Sequence, residues 1–147
     1  MTKLHRNSFL SLGLLAATLL VGCGSSDVPL STVEGVVLLD GQPLPNAIIE
    51  FQPGDRTGKI RPSVGETGPD GKYRLRYSKD LYGAAVGKHK VQITTFSPSG
   101  DGRFKERVPA AYNTNTTLIR EVGRAPNWLD FDLQSNATPA QSLASGQ

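Results

Sequence analysis

Thiolates, imidazoles and paired carboxylates do most covalent, acid–base and metal chemistry, and this 147-residue sequence is sparing with the first two. Cys23 is its only cysteine, and His5 and His89 are its only histidines. A single thiol excludes an intrachain disulfide, so the folded part must rely on its core alone. Ser–His–Asp and Cys–His arrangements need a base beside a nucleophile. His89 is the one candidate base, yet it stands between Lys88 and Lys90 at the start of a strand-like run. That setting predicts an exposed or edge position without a catalytic role. Zinc needs three or four His, Cys or carboxylate ligands, which this inventory does not supply. Carboxylates recur in "GPDGK", "SGDGR" and "LDFDL". Calcium sites gather several oxygens, often at Asp-x-Asp-x-Asp spacing. Asp130 and Asp132 have no third partner close in sequence, so a solvated strand face is expected, with weak calcium binding as the alternative. No catalytic residue, metal or cofactor is assigned.

Cys23 has a setting of its own. "MTKLHRNS" is short and basic, and "FLSLGLLAATLLV" (Phe9 to Val21) is an apolar run of 13 residues. A spanning helix needs roughly 20 apolar residues, so this run is too short for one. Basic start, apolar middle and small Gly22 before Cys23 match an export signal. "Leu20-Val21-Gly22-Cys23" resembles the bacterial lipobox. That resemblance implies a diacylglyceryl thioether on the Cys23 sulfur, cleavage between Gly22 and Cys23, and acylation of the new amino terminus. Two or three acyl chains, at roughly 0.8 kcal/mol per buried CH₂, make an effectively permanent anchor. Gly24 follows the cysteine in place of the aspartate that retains some lipoproteins in the inner membrane. The expected location is therefore the outer membrane, facing the periplasm or the cell surface.

Charge excludes another class of partner. The chain has 16 Lys+Arg against 13 Asp+Glu. Removal of the leader with Lys3 and Arg6 leaves 14 basic residues against the same 13. A nucleic-acid surface needs a concentrated basic face, and here the two signs are interleaved. Residues 23–31 read as a Gly/Ser/Pro tether and residues 134–147 as a small, polar, disordered tail. The folded unit is expected over 32–133.

Within that unit the signal is alternation and turn chemistry, with no sustained helical period. "KYRLRY" sets Tyr73, Leu75 and Tyr77 against Lys72, Arg74 and Arg76. "KVQITTF" sets Val91, Ile93 and Thr95 against Gln92, Thr94 and Phe96. "WLDFDL" turns Leu129, Phe131 and Leu133 inward, and "NAIIEF" does so with Ala47, Ile49 and Phe51. Further strands are expected at "TVEGVVLL", around "SVGET" and at "TTLIREV". Asp40-Gly41 and Pro69-Asp70-Gly71 are turn signals. Seven short strands at this spacing predict an all-β, antiparallel, seven-stranded sandwich, preceded by the signal-peptide helix.

"VEGVVLLDGQPLPNAIIEFQP", "GETGPDGKYRL" and "GAAVGKHKVQI", in that order, resemble the carboxypeptidase regulatory-like group of transthyretin-like sandwiches. "VPAAYNTNTTLIREV" is similar to a segment of small bacterial lipoproteins built on that module. The resemblance covers about Val33 to Leu133 and implies a Greek-key sandwich that is not itself catalytic. Two enzyme groups share cores of this kind. Hydroxyisourate hydrolases use several histidines, an arginine and a C-terminal Tyr-Arg-Gly-Ser, which this sequence lacks. Intradiol dioxygenases hold iron with two tyrosines and two histidines. Tyr73, Tyr77, Tyr82 and Tyr112 are present, but only one histidine would survive processing.

The remaining chemistry is recognition. Trp128 shares parity with Asp130 and Asp132, so it points out of the core or packs under the "VPAAYN" loop. With Tyr82 it is the candidate binding surface, a stacking platform for sugar or peptide. Tyr112 and Asn113 are expected to be structural. The functional expectation is a lipid-anchored, exported, non-enzymatic module of the bacterial envelope, structural or binding a protein or glycan. A transthyretin-type carrier of small ligands is the alternative, and a hydrolase with an unrecognised site comes behind it.

Overall fold

The structure, a computed structural model, describes residues 28–55, 57–95 and 105–138. The expected signal segment, Gly22, Cys23, most of the tether, Phe96, the "SPSGDGRF" loop and residues 139–147 lie outside the described residues.

Eleven strands are present among the described residues. They are β1 (Leu30–Ser31), β2 (Val33–Leu39), β3 (Gln42–Pro43), β4 (Ile48–Pro53), β5 (Ser63–Glu66), β6 (Lys72–Arg74), β7 (Ala84–Ala85), β8 (Gly87–Thr94), β9 (Ile119–Val122), β10 (Asn127–Trp128) and β11 (Phe131–Leu133). A single 3-10 turn covers Ala110–Tyr112. No helix among the described residues is long and apolar enough to cross a membrane. All seven expected strands are there, joined by two-residue strands too short to leave a periodic signal.

One sheet runs β5-β4-β8-β9 and is antiparallel throughout. A second is built around β2, and β1 and β7 form a separate two-stranded sheet. The antiparallel neighbours of β2 are β3 and β6, whereas β10 and β11 run parallel to it. The all-β sandwich class holds, but its pairing is mixed. Strands far apart in sequence set their relative direction through tertiary packing, which alternation does not encode. A bridge between Val64 and Arg76 ties β5 to the chain beyond β6, so the two sheets meet along one side. β1 lies in the segment expected as tether and pairs with β7, which moves the start of the fold back to about Pro29.

Each alternation read from sequence turns its apolar set inward, with Tyr77 and Leu129 at the strand ends only partly buried. Phe51, Ile49, Ile93, Val91, Leu75 and Phe131 are fully or almost fully buried between the sheets. Phe51 meets Phe131 edge to face at 6.2 Å, and Tyr73 meets Phe131 at the same separation. Asp40 and Gly41 both take positive φ, at 51° and 76°. That is the two-residue hairpin turn an Asp-Gly pair favours, and it returns β2 into β3.

The β10–β11 run breaks once, at Leu129-Asp130, and Gly35 permits the break. A Cβ on Gly35 would stand 2.0 Å from the Leu129 carbonyl oxygen. With only hydrogen there, that carbonyl leans in and accepts the Tyr73 hydroxyl at 2.6 Å. The Asp130 carboxylate meanwhile takes the Val36 N–H at 2.8 Å, replacing the missing ladder acceptor. Burial, with the Asp130 charge beside it, pushes the Tyr73 phenol pKa up, so the hydroxyl remains a donor.

Candidate binding face

The register across β10, β2 and β6 sets three outward side chains in one row. Trp128 is opposite Glu34, and Glu34 is opposite Arg74. With strands about 4.8 Å apart, Trp128 and Arg74 stand roughly 10 Å from each other. Arg74 Nε meets Glu34 Oε1 at 3.1 Å. Beyond Arg74 lies Tyr82, whose ring receives the Arg74 guanidinium at 4.4 Å and that of Arg76 at 5.3 Å. Trp128 is 59% exposed and Tyr82 46%. Both proposed aromatics therefore open on one sheet face, and the alternative that Trp128 packs under the "VPAAYN" loop is overturned.

Each end of the row is held by its own scaffold. Asn127 Oδ1 accepts the Gly123 N–H at 2.8 Å, while its Nδ2 lies within 2.8–3.3 Å of Ala125 O, Thr32 O, Ser31 Oγ and Gly123 O. This one side chain fixes the turn that delivers Trp128. At the other end a tight turn returns Leu81 to Tyr77, and the Gly83 N–H bonds Leu75 O at 2.8 Å. Gly83 has φ 105°, and a Cβ there would stand 2.2 Å from Ser31 O, so Tyr82 is set on the sheet by a glycine no other residue replaces.

A cleft of about 460 Å³ lies beside Tyr82, walled by Val64, Glu66, Arg74, Arg76 and Ser78. It joins a flat aromatic surface to guanidinium donors and a carboxylate acceptor. Faces of this composition stack on C–H surfaces and hydrogen-bond hydroxyl groups. Arg74, Arg76 and Glu34 were not singled out from the sequence. The available signal was their parity, since Arg74 and Arg76 alternate outward along "KYRLRY".

Other candidate residues serve the fold. His89 is not exposed or at an edge: it is 2% exposed on the interior strand β8, 5.8 Å from the Phe51 ring. Its flanking lysines point the other way, and His89 keeps the inward parity of Val91 and Ile93. Burial pushes its pKa below the ordinary value, against an opposing hydrogen bond between Nδ1 and Gly87 O at 3.0 Å. Tyr112 is fully buried and its hydroxyl accepts the Gln134 N–H. Asn113 Nδ2 donates to Val108 O at 3.0 Å. Asp132 projects outward from β11, whereas Asp130 is occupied by Val36. Asp70 pairs with Lys72 at 3.0 Å. No group of three or more His, Cys, Asp or Glu that could hold a metal occurs among the described residues.

No protein-family model matches the chain, and no curated relative does. Several solved structures align with it at low similarity. A DUF3823 family protein from Parabacteroides merdae aligns at 16% identity and TM-score 0.42, over 73% of this chain and 47% of that one. This chain thus spans about half the length of that protein. The dioxygenase domain of a dioxygenase carbohydrate-binding protein fusion from Streptomyces sp. SirexAA-E aligns at 20% identity and TM-score 0.36, over 75% of this chain and 84% of that one. A 9R-lipoxygenase from Cyanothece aligns at 15% identity and TM-score 0.34, over 69% of this chain and 16% of that one.

Proposed function

We propose that this chain is a non-enzymatic glycan-binding module of the bacterial envelope, exported and held at the outer membrane by acyl groups on Cys23. The observation that carries the binding half is the row Trp128–Glu34–Arg74–Tyr82 on one exposed sheet face. A sugar ring offers an apolar C–H face and a rim of hydroxyls. Two exposed aromatics flanking an ion pair present the complement to both. Backbone hydrogen bonds and the Asn127 side chain fix the row in advance, so little ordering entropy opposes ligand capture.

The non-enzymatic half is supported by His89, the one histidine among the described residues. Its ring packs beside Phe51 and is almost fully buried, and burial holds its pKa below the ordinary value, a poor setting for a general base. The carboxypeptidase regulatory-like resemblance agrees with this reading. Among the described residues, an interior filled by Phe51, Phe131, Tyr73 and aliphatic side chains weighs against a carrier that would hold its ligand between the sheets.

Affinity measurements on isolated envelope polysaccharides test the binding half. Trp128→Ala and Tyr82→Ala are each expected to weaken retention about tenfold, as loss of a stacking contact does, with unfolding midpoints unchanged. Equal retention by both variants refutes the platform. Intact-mass analysis of the membrane fraction tests the anchor, with loss of residues 1–22 and a lipid-sized gain expected. A soluble mature chain with a free Cys23 thiol refutes it.

A further inference from the structure

We infer that the oligosaccharide taken by this face is acidic, with a sugar carboxylate seated on Arg76. The inference rests on the glycan reading above and names its ligand class. Two arginines converge on one ring, but their circumstances differ. Arg74 is engaged by Glu34 at 3.1 Å. Arg76 has no carboxylate within ion-pair distance among the described residues. Its guanidinium is nevertheless steered, because Tyr82 lies 5.3 Å beneath it and its backbone is tied to Val64 in both directions, at 2.8 and 3.0 Å.

A guanidinium held over an aromatic face still has N–H edges free to donate, and such an edge can grip a carboxylate with two parallel hydrogen bonds. The position is at the wall of a cleft whose other charged members are Arg74 and Glu66. Glu34 already occupies Arg74, so a carboxylate entering the cleft meets Arg76 as its partner and Glu66 as its opponent. Glu66 also offers an acceptor to neighbouring hydroxyls. The acidic residue therefore sits over Arg76, and the next sugars run across β6 and β2 toward Trp128, roughly 10 Å beyond Arg74. A single neutral sugar reaches only one end of this row and leaves Arg76 without a carboxylate. An oligomer carrying uronic acids fills both.

The test uses the full chain in detergent and three probes: oligomers of galacturonate, of mannuronate, and of hyaluronan. Each is offered as the free acid and as its methyl ester. At least one free acid is expected to bind about tenfold tighter than its ester, the scale of a charge-assisted bidentate contact. The preference should shrink as salt rises. Arg76→Gln should abolish it and Arg76→Lys restore part of it, because lysine keeps charge without the fork. Glu66→Gln should tighten the acid form two- to threefold by removing a like charge. Arg76 and Glu66 are both exposed, so these variants fold and comparison with wild type is direct. Equal binding of acid and ester overturns the inference and leaves the glycan reading standing. Trp128-dependent retention of neutral glycans with none of the three acids does the same. Retention of no glycan at all defeats the broader reading.

Discussion

Gly35→Ala should come close to unfolding the domain, although it adds one methyl group. The new Cβ would stand 2.0 Å from Leu129 O and 2.6 Å from its carbonyl carbon, so the backbone at Leu129-Asp130 must move. That movement strains three hydrogen bonds at once: Leu129 N–H to Glu34 O at 2.8 Å, Tyr73 Oη to Leu129 O at 2.6 Å, and Val36 N–H to Asp130 Oδ1 at 2.8 Å. Neutral hydrogen bonds contribute about 1 kcal/mol net and those to a charged group about 1.5–3 kcal/mol. Forced overpacking costs about 1–3 kcal/mol. With partial relaxation the total is about 3–5 kcal/mol, a large part of the roughly 5–15 kcal/mol that holds a domain folded. Urea unfolding followed by far-UV circular dichroism measures the loss. Gly123→Ala is the matched control, since its nearest neighbour, Asn127 Oδ1, is 3.5 Å away, and it should change stability by less than 1 kcal/mol. Tyr73→Phe alone should cost about 1 kcal/mol, and nothing further once Gly35→Ala is present. A Gly35→Ala protein within 1 kcal/mol of wild type would refute the account of the break.

Two pH dependences follow from buried or cradled groups. Burial raises the Glu106 pKa, but hydrogen bonds from the Thr94 hydroxyl, the Thr95 N–H and hydroxyl, and the Val108 N–H outweigh it and hold the carboxyl below its ordinary 4.5. A depressed folded pKa supplies stability above the unfolded value that is lost as pH falls through the folded one. Acid unfolding should therefore steepen below about pH 4.5 in wild type and flatten in Glu106→Gln. His89 titrates in the same sense at higher pH, since burial lowers its pKa from 6.5. Stability should decline as pH falls below 6.5, and His89→Leu should remove that slope while leaving the Glu106 slope intact. An unchanged slope in either variant refutes the assignment for that residue.

Local alternation made the inner face of each long strand readable, because burial on one side and water on the other impose a two-residue period. Tyr73, Leu75, Val91, Ile93, Phe131 and Leu133 all lie where that period puts them. His89 was misplaced by attending to Lys88 and Lys90, which sit on the opposite face; its own parity was the better guide. The direction of β10 and β11 beside β2 had no local signature. The sole trace of that packing in the sequence is Gly35, a glycine in a strand where a backbone comes close. Half of the candidate face was legible, since Trp128 and Tyr82 are large apolar side chains that parity and loop position left outside the core. The arginines and Glu34 became part of it through cross-strand register, which is a property of the folded sheet alone.

The pairing of β1 with β7 bears on how the domain takes load. Residues 28 and 29 lead straight into β1, which is clamped by Val86 N–H to Pro29 O at 2.8 Å and by Ser31 Oγ to Ala125 O at 2.7 Å. A pull applied from the N-terminal side would load these contacts first. The pull then passes through Thr32, whose carbonyl receives the Asn127 N–H at 2.8 Å, into β2. The strand that carries Glu34 is thus the next element after β1 to take such a pull. A ligand bridging β10, β2 and β6 would act as a crosswise brace on that strand, stiffening the domain against such a pull.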